Sequence, residues 1–229
     1  VLLSLLPILS LPLMPSMTDF STSQLWVRLG GFVSPAEPSG ATKVTTADPS
    51  TKHSSLEGSV ETYEVKIDKI QQILKSFKTD LPSGQEHKLV QLIYEESLAY
   101  QYDPELILAV IAAESSFNNW SRSTKGAIGL MQIMPTTGVS LAKAHNINWM
   151  GNITLFDPYL NVKLGIKYLA MMHDEFDDLQ LALTAYNYGP TRVHEMLDRC
   201  DRLPKEYSRK VMSNYKRFLE FNLQPVVES

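Results

Sequence analysis

The chain has 229 residues, 44% hydrophobic and 20% charged, enough for one well-cored domain with additional segments. Its formal charge of −4 excludes the basic field that nucleic-acid binding needs, so no nucleic-acid partner is expected. Cys200 is the only cysteine, which excludes an intramolecular disulfide and a cysteine-rich metal site, and His53, His87, His145, His173 and His194 lack ligand spacing. No metal and no cofactor are expected.

Residues 1–17 are uncharged and rich in Leu, Pro and Met, like the apolar core of a secretory signal but without its basic start. Pro7, Pro12 and Pro15 break the segment as a membrane-spanning helix, so export to the periplasm or cell envelope is the expectation. Residues 18–58 are rich in Ser, Thr and Pro and read as a disordered linker, with a small apolar island at Trp26, Val27, Leu29, Phe32 and Val33. This N-terminal segment is the candidate contact for an envelope-assembly partner.

Residues 59–81 hold an amphipathic helix from Val60 to Phe77, with Ile67, Ile70, Ile73, Leu74 and Phe77 at helical spacing. Asp80 to Gly84 stops it, and a second helix follows from Gln85 to Tyr100 with Leu89, Leu92, Ile93 and Leu98 as its buried stripe. Asp103-Pro104 reads as an N-cap and first residue of a third helix, closing at Glu114. Residues 117–135 form a loop, Pro135 opens a helix to His145, and Asp157-Pro158 opens another to Phe176. Asp177 or Asp178 caps a helix over Leu179–Asn187, Pro190 opens one to Leu197, and Glu206 to Asn222 forms the last. No period-two pattern of any length occurs, so the class is all-α, a bundle of short helices around residues 82–222, with 223–229 as a tail. The cluster Arg199, Arg202, Lys205, Arg209, Lys210, Lys216 and Arg217 is interleaved with acids and reads as a solvated helical face.

Glu114 ends the apolar run Leu106 to Ala113. A carboxylate there meets the negative end of the helix macrodipole and apolar neighbours, and both favour the neutral acid. A free Glu has a pKa of about 4.3, so a proton retained near neutrality suits a general acid. The bland alternative is a side chain that reaches water or a cation.

Three segments stand in order: Glu114-Ser115-Ser116-Phe117, then Gly126 to Pro135 with Gly129-Leu130-Met131-Gln132, then Ala185-Tyr186-Asn187-Tyr188-Gly189-Pro190. With Asn161, Gly165, Tyr168 and Leu169 between them, residues 82–222 resemble the catalytic domain of the soluble lytic transglycosylases, which have a lysozyme-like fold. The resemblance implies cleavage of the β-1,4 bond between N-acetylmuramic acid and N-acetylglucosamine in peptidoglycan strands, by a monomer. Glycosidic oxygen leaves poorly unless protonated, and Glu114 is the acid for that step. No second carboxylate presents itself, since Asp103 and Asp157 both read as caps. The substrate's own 2-acetamido group is then the internal nucleophile, and ionised Glu114 takes the C6 hydroxyl proton as a 1,6-anhydro ring closes.

The resemblance and the chemistry together make Ser115, Gly129, Met131, Gln132, Tyr186 and Asn187 the substrate-binding candidates. Ser115 either orients the acid or bonds backbone at the helix end. Met131 lines the groove or fills the core, and Met134 reads as core filler. Gly126 and Gly129 supply turns and close approach to sugar. Tyr186 bonds the acetamido carbonyl, holds Glu114, or is a satisfied buried tyrosine. Asn187 caps or ties a loop beside the groove, and Phe117 and Tyr188 either stack on sugar or pack. In one place the chain departs from the pattern: where the family carries P-x-x-E-T-x-x-Y-V, Lys210 occupies the tyrosine position. Tyr207 and Tyr215 are the candidates to replace that tyrosine. The alternatives are hydrolysis through the same cleft, as in goose-type lysozymes, or a catalytically silent glycan-binding scaffold.

Overall fold

The computed structural model describes residues 51–81 and 84–222, with side chains from Tyr63 onward. The signal-like segment, nearly all of the expected linker with its apolar island, and the 223–229 tail lie outside the described residues.

Eight α-helices and one 3₁₀ turn follow in order among the described residues. They are α1 (Thr51–Lys75), α2 (Gln85–Ala99), α3 (Pro104–Glu114), α4 (Pro135–Ala144), the 3₁₀ turn Gly151–Phe156, α5 (Pro158–Phe176), α6 (Leu179–Tyr188), α7 (Pro190–Asp198) and α8 (Glu206–Leu219). No strand occurs among these residues; two isolated bridges, Arg122 to Ile128 and Ile128 to Ile133, are the only extended pairing. The all-α class is therefore observed.

Proline sets four of the starts. Pro104, Pro135, Pro158 and Pro190 each occupy the first turn of a helix, where a missing N–H costs nothing. Asp157 caps α5 by accepting from the N–H groups of Tyr159 and Leu160, both at 2.9 Å. Asp178 caps α6 through Leu181 N–H at 2.8 Å. Asp103 has N-cap backbone geometry but no capping bond, contrary to the expected cap. Its carboxylate instead accepts from the Tyr215 hydroxyl of α8, pinning the start of α3 to the last helix.

The centre of the fold is α3. Residues 104–113 are all buried, so it is enclosed on every side, with α8 as its most extensive partner and α1 and α2 also packed on it. The first helix differs in extent from the expectation: it begins at Thr51, inside the expected linker, and ends at Lys75. Its Ile67, Ile70, Ile73 and Leu74 belong to the same core as α3, so no structural boundary falls at residue 82. Phe77, beyond the helix end, packs on Phe117 with ring centroids 4.6 Å apart.

Candidate active site

Glu114 is the last residue of α3, and the chain turns away directly after it. Ser116 and Phe117 take left-handed backbone (φ 52° and 63°), which costs energy for residues with a Cβ and here ends the helix abruptly. Phe117 holds the turn: it is fully buried against Phe77, so the packing alternative describes it.

The acid lies at the junction of α3 with α8. Burial raises its pKa to about 7, against the opposing pull of the Tyr207 hydrogen bond and the Lys210 charge. Tyr207 Oη donates to Glu114 Oε1 at 2.6 Å, a short charge-assisted bond when the acid is ionised. Lys210 Nζ donates to the Ala113 carbonyl, a cation at the C-terminal end of α3, where the macrodipole favours it. Both residues stand in the segment where the sequence departs from the family pattern. Tyr207, one helical turn before Lys210 on α8, reaches the acid, while Tyr215 is spent on Asp103. Burial, first of all, and the nearby Glu114 charge push the Tyr207 hydroxyl well above its ordinary value, so it stays a donor.

The loop over 118–134 is fixed by a residue to which the sequence assigned no role. Asn161, fully buried on α5, donates from Nδ2 to the Ile128 and Leu155 carbonyls and accepts from Met131 N–H at 2.8 Å. Gly129 (φ 82°) is required by this arrangement: a Cβ there would stand 2.3 Å from Asn161 Nδ2 and 2.5 Å from the Leu155 carbonyl oxygen. On the side a Cβ would occupy, the close approach at Gly129 is to Asn161 and the Leu155 carbonyl. Gly165 similarly leaves room for Met131, whose Sδ would lie 2.3 Å from an added Cβ.

The other candidates separate clearly. Met131 is fully buried, so its thioether cannot line a groove; the core alternative describes it. Met134, expected in the core, is 39% exposed because it stands outside the first turn of α4. Ser115 Oγ donates to the Leu130 carbonyl at 2.8 Å and the Ile111 carbonyl at 3.3 Å, tying the helix end to the loop, with no bond to Glu114. Gln132 (φ 48°) donates its amide to the Gly129 carbonyl at 2.8 Å and the Ser121 carbonyl at 3.2 Å, so the amide N–H braces the loop. Tyr186 is buried, donates to the Met131 carbonyl at 2.8 Å and packs on Tyr168 with centroids 5.1 Å apart. Burial raises its hydroxyl well above the ordinary value and Glu114 adds to the effect, which places Tyr186 beside the acid without a bond to it. Asn187 is exposed on the last turn of α6. Trp120, absent from the sequence reasoning, is 57% exposed and stacks on Phe156 at 5.3 Å.

Among the described residues no group of three His, Cys, Asp or Glu side chains is placed to hold a metal ion. The chemistry on offer is one proton-holding carboxyl at a helix end, a tyrosine donor on it and a lysine behind it.

A buried helix ending on such an acid, a loop braced by an asparagine and a tyrosine next to the acid place the fold in the all-α, lysozyme-like class. The family model for the transglycosylase SLT domain matches residues 91–208, just over half of the chain, and the chain belongs to that family. A transglycosylase of Enterobacteria phage PRD1 is 35% identical over 131 residues, 57% of this chain and 44% of that protein. The membrane-bound lytic murein transglycosylase C of Shigella sonnei is 34% identical over 117 residues, 47% of this chain and 33% of that protein. Among solved structures, an inactive glutamate-to-glutamine variant of lytic transglycosylase Slt from Pseudomonas aeruginosa superposes with a TM-score of 0.50 at 28% identity, covering 56% of this chain and 23% of that one. The chain thus spans less than half the length of these curated relatives. α1 and most of α8, Lys210 included, lie outside the matched range.

Proposed function

We propose that this chain is a peptidoglycan lytic transglycosylase, cleaving between N-acetylmuramic acid and N-acetylglucosamine and leaving a 1,6-anhydromuramic end. The observation that carries the reading is Glu114, whose pKa near 7 lets it give and take a proton at neutral pH. Protonated Glu114 passes its proton to the glycosidic oxygen as the bond to muramic C1 breaks. The acetamido oxygen of the same sugar bonds to C1 and holds the positive charge. Ionised Glu114, steadied by the Tyr207 hydroxyl and the Lys210 charge, then takes the proton of the C6 hydroxyl. O6 displaces the acetamido oxygen at C1, and no water is consumed. The groups coupled to Glu114 among the described residues are Tyr207, Lys210 and Tyr186, with no carboxylate. That favours the intramolecular route over hydrolysis, which needs a base for water. The inactive glutamine variant of the Pseudomonas relative supports a glutamate-dependent reaction.

Gln132 Oε1, Asn187 and the exposed ring of Trp120 are the groups we assign to the sugar; Ser115, Gly129, Met131 and Tyr186 act on substrate through the shape of the loop. Such an enzyme works in the cell envelope, and no helix among the described residues is long and apolar enough to cross a membrane.

A digest of purified peptidoglycan, read by mass spectrometry of the released muropeptides, tests the proposal. Fragments one water lighter than their hydrolytic counterparts and inert to borohydride are expected. Reducing muramic ends would instead mean that water is the acceptor.

A further inference from the structure

At the start of α8 lies a cavity of about 560 Å³ whose lining includes Tyr188, Arg192, Arg202, Lys205, Glu206 and Arg209. Four cations face one carboxylate there, in a chain whose net charge is −4. The sequence reads Arg202, Lys205 and Arg209 as a solvated helical face; the fold instead gathers them with Arg192 of α7 around one concavity. Among the described residues none of the four has an ion pair or a side-chain hydrogen bond, whereas Arg199 is paired with Glu195 and Asp201. Converging unpaired cations repel one another, a cost that an anionic ligand relieves.

The donors come from three parts of the chain: Arg192 from α7, Arg202 and Lys205 from the connection after it, and Arg209 from the first turn of α8. Arg192 is steadied over the Tyr188 ring, 5.6 Å from its centroid. The 14-residue α8 starts without a side-chain cap, so the N–H groups of its first turn and the positive end of its dipole add to the same wall. Half-buried Met196 and Leu203 give the lining an apolar part, and a low-dielectric wall strengthens the field. A carboxylate offers two oxygens in one plane, and a single arginine fork satisfies it. A phosphoryl group offers its oxygens in a tetrahedron and up to two charges, which suits several forks arriving from different elements. The volume lies in the range of small-molecule sites, about 300–1,000 Å³, and is larger than one bare ion fills.

We propose that this concavity is a binding site for a phosphate ester or diphosphate, with Arg192, Arg202, Lys205 and Arg209 as its donors. Neither Glu114 nor its partners Tyr207 and Lys210 are among the lining residues, so the site is separate from the acid. The proposal therefore stands whatever reaction Glu114 performs. Two sources share this chemistry, a soluble phosphate ester and the headgroup of an anionic lipid. A headgroup in the pocket holds the chain against a membrane surface without a spanning helix.

Calorimetric titration of the full chain with inorganic pyrophosphate at low ionic strength tests the site. A Kd below about 1 mM is expected, with citrate, which carries a similar charge on planar carboxylates, bound about tenfold more weakly. Arg192→Gln with Arg209→Gln, both at exposed positions outside the core, should weaken pyrophosphate binding about tenfold or more. Lys88→Gln with Lys143→Gln removes the same charge from exposed positions on α2 and α4 and should change it by less than about twofold. Melting curves that overlay the parent's show that either loss is local. Flotation with lipid vesicles separates the two sources. Capture by phosphatidylglycerol but not phosphatidylcholine vesicles, lost in the arginine variant, assigns the headgroup; pyrophosphate binding without capture assigns a soluble ester. No pyrophosphate binding by the parent would overturn the proposal, as would an equal loss in the two variants. Citrate bound as tightly as pyrophosphate would overturn it in favour of a carboxylate ligand.

Discussion

Glu114 is held at a price in stability, and the sign of that cost is fixed by its proton. Its ordinary value is 4.5 and burial lifts it to about 7, so between these two pH values the folded chain keeps a proton that the unfolded chain has lost. Stability therefore falls as pH rises from about 4.5 to 7, by about 3 kcal/mol at most at 1.36 kcal/mol per unit. Glu114→Gln removes the ionisation. It should raise the melting temperature at pH 7.5, give no gain at pH 4, and lower turnover by about 10²–10⁴-fold or more. Melting curves at the two pH values, run beside the muropeptide assay, check both halves. Tyr207 and Lys210 act in the opposite direction, each pulling the acid's pKa down. Tyr207→Phe and Lys210→Met should therefore move the alkaline limb of the kcat/KM profile to higher pH, while Lys210→Arg holds it in place. An alkaline limb that stays put in both variants would mean another group sets it.

Between helices, one ion pair carries more than its share. Glu105 on α3 is 1% exposed, and Lys69 of α1 reaches its Oε1 at 2.9 Å while also donating to the Leu219 carbonyl of α8 at 3.2 Å. Burial pushes the Glu105 pKa up, but the Lys69 hydrogen bond, a backbone N–H bond, and the Lys69 and Lys66 charges together outweigh that and leave it lowered. Lys69→Ala strands a buried carboxylate and should cost about 3–5 kcal/mol by urea denaturation. Lys66→Ala, 43% exposed at 3.5 Å, should cost under about 1 kcal/mol. The contrast shows what a linear sequence can carry. Proline at 104, 135, 158 and 190, aspartate at 157 and 178, and the 3.6-residue stripe of α1 state their roles locally, and those helices were legible. Glu114 was legible for the same reason, as an acid at the wrong end of an apolar helix. Asn161, Tyr207 and Lys69 act on partners 30 or more positions away. Nothing in their neighbourhoods announces those partners, and Tyr207 could be narrowed only to a choice with Tyr215.

On the scale of the molecule, the question is where the folding unit begins. The family model starts at residue 91, and the sequence pattern divides the chain at 82. The core respects neither limit: Ile67, Ile70, Ile73 and Leu74 are each 3% exposed or less and pack with α3, the helix that ends on the acid. An amphipathic period says that a face is buried but not against what, so the sequence left α1 as an adjunct. Each of these four side chains contributes about 1.5–3 kcal/mol on burial, and a domain's whole stability is about 5–15 kcal/mol. Cutting before residue 82 also removes Lys69 from Glu105 and Phe77 from Phe117, the contact that pins the turn after the acid. A fragment of 82–222 should therefore lack a cooperative thermal transition, be digested rapidly by trypsin, and release no muropeptides. A fragment of 51–222 should melt as one unit and keep full activity. If 82–222 instead melts cooperatively and cleaves at the full rate, α1 is an appendage and the turn at Phe117 holds without it.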